Sequence, residues 1–559
     1  MAQIDIYALG GLGEQGKNMY VLEVNQGIFI LDAGLKYPTD ELYGVDAILP
    51  DFTHLKRNRD RIRGLFLSHG HEDHIGAVPK LLKELSMPIY GTYFTLALLK
   101  DAMQDQSLDP ENYEFHTITK DDTLTFKNTE VSFYQTTHSI PESVGMAFQT
   151  EDGVIVYSPD YTFDQNVAAA YKTSFERLAH IARQNVLALL TESTGAEHRG
   201  FSRTSQHMDY ELNQAFLKAK GHRIIVTSYS TDIFRIQKAV DIALKYNRKI
   251  AIIGRKAQRM VDIAINLGVL KIPDDKLLKL KFIDDKNKNT LEDSVVLVTG
   301  DRHEPFYMLQ RMMRKLDRLI HLNSKDHIIM MTPPVPGTEK IAARTLDILY
   351  RNDITITKID PESLPPAHAS SEDVKLLANI LRPKYFIPII GEYRHFYAMR
   401  KIAKEIGYQD DEIFTLQNGQ VLRIVDGEAK GIADKVKSGE TLVDGILEGD
   451  VHDVVLKDRE ILSQDGMMLV IAHLNARKKK TVGDIEVMSR GFVYMKENEE
   501  LVQKVGEIYR NIAEQMLSKK QIDFRKFKEK IREEVSRFLF KETRRRPIVI
   551  PVLIDVPKE

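Results

Sequence analysis

Apolar residues in the first part of the chain fall in short runs, each bounded by turn or polar residues. The pattern predicts strands at Ile4–Leu9, Met19–Val24, Gly27–Leu31, Leu65–Leu67, Val131–Gln135, Val154–Tyr157 and Val186–Leu190. After the fourth run the period changes. Ile75, Val78, Leu81, Leu82 and Leu85 lie on one helical face, which predicts an amphipathic helix. From about residue 200, strands at Arg223–Thr227, Ile250–Ile253, Val295–Val298 and Ile328–Met331 alternate with helical segments such as Ile233–Tyr246 and Thr338–Tyr350. That alternation predicts a parallel sheet covered by helices. The run Tyr385–Ile390 returns to the type of the first region, so the second domain is expected to be inserted within the first. Residues 426–447 are mixed and charged and read as a connector. Strand signals at Met468–Ala472, Gly491–Tyr494 and Ile548–Ile554, with a long polar helical stretch Glu499–Phe540, predict a small α+β domain at the end.

Polar residues follow the early strands in a repeated way. Leu65-Phe66-Leu67-Ser68 empties into His69, His71, Asp73 and His74, the pattern H-x-H-x-D-H. Later runs end at Thr136-Thr137-His138-Ser139, Ser158-Pro159-Asp160 and Thr191-Glu192-Ser193-Thr194. Imidazoles and carboxylates offered from several strand ends can converge on one sheet edge, and that donor set suits zinc. The chain contains no cysteine, so thiolate sites and disulfides are excluded. Asp32, at the end of Gly27–Leu31, reads either as a turn residue or as a group that orients the ligand histidines. In the second region, strand ends at Ser228-Tyr229-Ser230-Thr231-Asp232, Thr299-Gly300-Asp301 and Thr332-Pro333-Pro334 mark either a phosphate-holding crevice or ordinary turn chemistry.

Length and charge narrow the classes. A chain of 559 residues exceeds one hydrophobic core. A formal net charge of −2 excludes a global basic field, so contact with nucleic acid must be local. The basic runs Arg477-Lys478-Lys479-Lys480 and Arg544-Arg545-Arg546 read as RNA contacts or as solvated faces. The start of the chain shows no secretory pattern, and no uncharged apolar run is long enough for a bilayer, so a cytoplasmic location without membrane contact is expected.

These motifs resemble the metallo-β-lactamase superfamily, its β-CASP nuclease branch, and most narrowly the bacterial ribonuclease J family. The resemblance is carried by Gly10-Gly11-Leu12-Gly13-Glu14 with Lys17-Asn18, Leu31-Asp32-Ala33-Gly34, the H-x-H-x-D-H knot, Thr137-His138-Ser139-Ile140-Pro141-Glu142 and Glu192-Ser193-Thr194. Ser489-Arg490-Gly491-Phe492-Val493-Tyr494 and Arg545-Arg546-Pro547-Ile548 extend it to the end of the chain. It implies an α/β fold: a metallo-β-lactamase αβ/βα sandwich (1–200 and 366–425), an inserted β-CASP α/β domain (201–365), a linker (426–447) and a small C-terminal α+β domain (448–559). It also implies metal-dependent 5′-to-3′ exonuclease and endonuclease activity in RNA maturation and mRNA decay. The substrate implied is 5′-monophosphorylated single-stranded RNA, and the assembly a homodimer or a heteromer with a ribonuclease J paralogue. By the resemblance, His69, His71 and His138 hold one zinc, Asp73 and His74 a second, and Asp160 bridges them; magnesium or manganese is a candidate activator. Asp73 then orients the attacking water, while His368, oriented by Glu192, assists the leaving oxygen. Ser230, Thr231, Asp232 and the loop Leu364-Pro365-Pro366-Ala367-His368 are the expected substrate contacts.

The sequence also departs from the family. Ile390 stands where the family has a histidine ligand of the second metal, and His395 is too far along to replace it. The family's H-x-S-G-H loop is here Leu364-Pro365-Pro366-Ala367-His368, and Pro159 replaces a glycine before Asp160. Gly300-Asp301-Arg302-His303-Glu304 puts charge where the family has small neutral residues, and Asp301 with Asp232 repels a phosphate unless Arg302 offsets them. Two functions follow: a ribonuclease with a weak second metal, or a largely inactive structural partner of an active paralogue. The implied β-CASP insertion and C-terminal domain disfavour a lactamase-type hydrolase or thioesterase, and the motifs near both ends disfavour a DNA-repair nuclease of the branch.

Overall fold

In the computed structural model, the described residues are 2–38, 44–278, 294–335, 337–444, 447–448, 453–493, 498–519 and 521–556. The chain divides into two compact units, one of residues 1–37 and 47–441, the other of residues 38–46 and 442–559.

The first unit contains the expected αβ/βα sandwich. One sheet runs, from edge to edge, Glu428–Lys435, Gln420–Val425, Gln3–Gly10, Met19–Val24, Gly27–Leu31, Ile62–Phe66, Ile89–Gly91 and Phe115–Thr117. The other runs Tyr385–Ile389, Val186–Glu192, Gly153–Ser158, Val144–Thr150, Thr129–Gln135 and Thr123–Phe126. Their inner faces meet in an apolar core that includes Ile4, Leu22, Phe29, Phe66, Phe133, Phe148, Tyr157 and Ile387. This layering explains the strand runs in the sequence: each buries alternate residues between sheets and the others beneath helices. On its outer face the second sheet is covered by the helices Phe175–Ala182, Ser371–Leu381 and Tyr393–Glu405, whose Leu178, Val374, Leu377 and Met399 are buried there.

Val186–Glu192 and Tyr385–Ile389 are parallel neighbours in register Glu192 to Ile389. The chain between them builds a third sheet, all parallel, in the order Leu277–Leu278, Lys249–Ile253, Ser294–Gly300, Arg223–Tyr229, Asp326–Met330 and Thr355–Lys358. Helices Glu304–Met313 and Glu339–Tyr350 bury Phe306, Leu309 and Leu349 against it. The second unit holds a three-stranded sheet, Lys480–Arg490, Met467–Asn475 and Ile548–Asp555, with a core of Met468, Val470, Tyr509, Phe527, Ile531 and Val535 beneath helices Glu499–Leu517 and Phe524–Thr543.

Four sequence readings change. The helix after the histidine knot is broken into Glu72–Ile75 and Val78–Glu84, because the Ala77 N–H turns to the Ala33 carbonyl and Pro79 has no N–H to give. The expected connector 426–447 contains the strand Glu428–Lys435, an exposed edge strand whose charge hid it from periodicity. The strand signal at Gly491–Tyr494 belongs instead to Lys480–Arg490; Gly491 and Phe492 form a bend, and Tyr494 lies outside the described residues. The long terminal helix is two helices. Among the described residues, no helix is long and apolar enough to cross a membrane.

Candidate metal centre

The knot sits where two strand ends and a glycine turn meet. Ala33 N–H donates to the His74 carbonyl at 2.8 Å, Leu35 N–H to that of Glu72 at 3.0 Å and Asn18 N–H to that of Asp73 at 3.1 Å. Gly34 is needed for this approach: a Cβ there would stand 1.5 Å from the Asp73 carbonyl oxygen. The loop bearing the histidines is therefore fixed by backbone, and its side chains have little freedom.

Asp32 does more than turn the chain. Fully buried, it accepts from the Ser68 N–H and hydroxyl at 2.7 Å each, from His74 Nδ1 at 2.8 Å and from the Tyr157 hydroxyl at 2.6 Å. Holding the proton on His74 Nδ1 leaves Nε2 as the outward lone pair, the arrangement a metal-binding imidazole requires. The His138 ring is set the same way, with Nδ1 donating to the Ala367 carbonyl at 2.9 Å. Ser68 Oγ lies 2.9 Å from His69 Nδ1.

Three imidazole nitrogens then converge. His71 Nδ1 is 3.1 Å from both His69 Nε2 and His138 Nε2, and Asp160 Oδ2 lies 3.6 Å and 3.5 Å from those two. Burial, with the neighbouring histidines, pushes His69 well below its usual pKa; His138 is lowered too, mainly by burial. Neutral imidazoles facing one another with lone pairs are mutually repulsive unless a cation sits among them, so His69, His71, His138 and Asp160 fit a divalent metal. Asp160 adds a second sign. Its Oδ1 is buried without a hydrogen-bond partner, a cost that a metal or bound water removes.

A second group comprises Asp73, His74 and Asp160. Here His74 Nε2 is 3.6 Å from Asp73 Oδ2 and 3.7 Å from Asp160 Oδ2. The amide of Asn18 fills part of the gap. Its Nδ2 donates to Asp73 Oδ2 at 3.2 Å and lies 3.1 Å from His74 Nε2. Although burial opposes charge on His74, Asp73 and Asp32 raise its pKa to about 9. Ile390 supplies nothing to this group. It follows the last residue of Tyr385–Ile389 and holds φ at 51°. Its side chain lies in the sandwich core with Leu12, Tyr20, Phe396 and Leu416. The Ile390 N–H donates to the Tyr20 hydroxyl at 3.0 Å, and that hydroxyl donates to the Gly11 carbonyl at 3.0 Å. His395 is engaged elsewhere: its Nδ1 accepts from the Glu392 N–H at 3.1 Å in the cap of the following helix.

The third group is Asp160, Glu192 and His368. Glu192, fully buried at its strand end, accepts from the N–H of Tyr161 at 2.9 Å and of Ala369 at 3.1 Å, and binds His368 Nδ1 at 2.7 Å. Burial works against charge on the imidazole, but Glu192 and Asp160 raise it well above its usual range. The His368 side chain remains one-third exposed (33%), so its Nε2 side is open to a ligand.

Most of the expected substrate contacts are engaged within the protein. Thr231 carbonyl oxygen lies 3.3 Å from His71 Nε2. Asp232 caps its helix by accepting from the Arg235 N–H at 2.9 Å. Ser230 donates its hydroxyl to Asp301. Leu364 is buried; Pro365 accepts from Arg235 at 3.1 Å; Pro366 is half-buried; and the Ala367 carbonyl holds His138. Sequence reasoning gave no role to Asn18, Tyr20, Ser68 or Tyr157. Their signal was position: each adjoins a glycine turn, the knot or a strand end that the pattern had already marked.

Comparison with known proteins covers nearly the whole chain. Residues 12–195 match the metallo-beta-lactamase superfamily, 221–349 the ribonuclease J beta-CASP domain, and 454–556 the ribonuclease J C-terminal domain. Ribonuclease J 2 of Staphylococcus epidermidis is 36% identical over 553 residues, 99% of this chain and 98% of that one. Ribonuclease J 2 of Staphylococcus aureus matches to the same extent. A crystal structure of a protein of unknown function from Enterococcus faecalis shares the fold, with a TM-score of 0.52 and 14% identity over 76% of this chain and all of that one.

Proposed function

Because the chain belongs to the ribonuclease J family, we propose that it is a metal-dependent phosphodiesterase that hydrolyses RNA in the cytoplasm. The observation that carries this reading is the convergence of the His69, His71 and His138 imidazole nitrogens beside the buried carboxylate of Asp160. His69, His71, His138 and Asp160 hold the first metal, and zinc suits their donor set. Asp73, His74 and Asp160 hold a second, weaker one, because Ile390 cannot coordinate and the Asn18 amide competes for the same donor atoms. When bound, such ions supply a nucleophile at neutral pH and offset charge on the scissile phosphate.

The protein's own groups divide the remaining work. Asp73 accepts a hydrogen bond from the attacking water. Glu192 holds the proton on His368 Nδ1 and stabilises the imidazolium, and His368 Nε2 gives its proton to the leaving oxygen. Asp32 and Ser68 keep His74 and His69 in their ligand tautomers and move no proton themselves.

Decay of a 5′-end-labelled RNA by the purified protein, with zinc, magnesium or manganese, tests the reading beside His71→Ala. Turnover present in the parent and absent from the variant is expected. Ile390 and Asn18 favour one second reading: a subunit of slow or no turnover that serves an active paralogue in a heteromer. Parity between parent and variant, with strong stimulation of the paralogue on mixing, would select it.

A further inference from the structure

The second unit carries two basic runs, Arg477-Lys478-Lys479-Lys480 and Arg544-Arg545-Arg546, that the metal centre does not use. The fold joins them. Strand Met467–Asn475 pairs with Lys480 at its Asn475 end and with Ile548 at its Met467 end. The first run therefore lies beyond one end of the sheet and the second beyond the other, about 30 Å apart along the strand. Helix Phe524–Thr543, rising about 1.5 Å per residue, covers the same distance. It follows Lys519, whose carbonyl accepts from Lys479 Nζ at 2.7 Å, and it leads directly into Arg544.

Between Phe524 and Arg546 stand ten basic residues and four acidic ones, in a chain whose formal net charge is −2. A solvated helix face commonly balances its charges in pairs one turn apart. Two such pairs form here, Arg525 with Glu529 at 3.4 Å and Arg537 with Glu534 at 2.9 Å. Arg477, Lys478, Lys480, Lys526, Lys528 and Arg532 are exposed and, among the described residues, form no ion pair. The far end is ordered by stacking: the Arg544 and Arg546 guanidiniums lie over the Phe540 ring, 5.9 Å and 4.4 Å from its centroid. Like charges gathered in this way repel one another, and a polyanion laid along them removes the repulsion.

We propose that this ridge, from residues 477–480 along the helix to 544–546, is a second RNA contact of the protein and holds the phosphate backbone of a long substrate. The inference rests on the RNA reading above and adds the surface on which the strand is held. Phe540 is covered by its arginines, so the ridge offers charge rather than stacking and takes RNA of any sequence.

The test is binding of the full-length protein to a long, 3′-labelled phosphorothioate RNA of mixed sequence, which resists hydrolysis, read by fluorescence anisotropy across a salt series. One variant carries Arg477→Gln, Lys478→Gln, Lys528→Gln and Arg532→Gln. A control carries Arg57→Gln, Lys127→Gln, Lys220→Gln and Lys340→Gln, at exposed positions of the first unit. The ridge variant is expected to bind at least about tenfold more weakly at low salt, with a plot of log affinity against log salt shallower by up to about 3, since each lost phosphate contact removes roughly 0.7. The control should match the parent. Lys526→Gln alone, shallower by about 0.7, stands if the fourfold variant fails to fold. Equal binding by ridge variant and parent, or an equal loss in the control, overturns the ridge and leaves the hydrolytic reading intact. Weaker binding of the ridge variant to phosphatidylserine vesicles, with RNA binding unchanged, also overturns it and assigns the surface to lipid. Failure of the parent to bind RNA overturns the RNA reading and this inference with it.

Discussion

Replacing Ile390 with histidine bears directly on the second ligand group. Ile390 is 4% exposed, sits in the sandwich core and holds φ at 51°. Removing a buried isoleucine from such a core costs about 2–3 kcal/mol. The left-handed conformation burdens a β-branched residue by about 1–2 kcal/mol, and histidine enters that region more readily. After chelation, Ile390→His is therefore expected to be about 1 kcal/mol less stable than the parent. A metal held only by the folded variant, at roughly 100 times its dissociation constant, adds about 2.7 kcal/mol. The sign of the difference should thus reverse when metal is supplied. Thermal melts with and without zinc read the reversal, and elemental analysis after dialysis reads the metal content, expected to rise from a single tight equivalent in the parent toward two. A variant whose melt responds to zinc no more than the parent's, at unchanged metal content, would refute the reasoning.

Three other substitutions probe separate links. Tyr20→Phe removes the hydroxyl that accepts the Ile390 N–H and bonds Gly11; leaving these buried groups unsatisfied should cost about 1–3 kcal/mol in urea denaturation. His368→Ala should lower the rate of RNA cleavage by about 10²–10⁴ with metal content unchanged, and loss of metal instead would assign His368 to the ligand set. Arg223→Met strands Asp326, which is 1% exposed and paired to Arg223 through two contacts of 2.7 Å; the domain bearing that sheet should lose about 3–5 kcal/mol, read as an earlier melt.

Much of this was legible because burial writes a period into the chain. The strands Met19–Val24 and Gly27–Leu31 have the bounds that their apolar runs predicted. His138, Asp160 and Glu192 were marked by their place at strand ends; His138 and Asp160 cluster with the knot, and Glu192 with Asp160 and His368. What stayed hidden lacks a local period. Asn18 reaches His74 only because the glycine turn and the knot fold together across 56 positions of sequence. Ile390 reads as the last residue of a strand, whereas it holds a positive φ and gives its N–H to Tyr20, 370 positions away. Glu428–Lys435 is an edge strand with most of its side chains in solvent, so its alternation carried no apolar signal.

The chain leaves the sandwich after Glu192 and is back on it at helix Ser371–Leu381, with His368 on the returning crossing. The two crossings are tied together: Ser202 Oγ donates to the His368 carbonyl at 3.3 Å, and the Glu372 N–H to the Gly200 carbonyl at 3.0 Å. His368 is thus held at two points: Ser202 of the outgoing crossing grips its backbone, and Glu192 of the sandwich grips its imidazole. A shift of the insertion relative to the sandwich would pull on both at once.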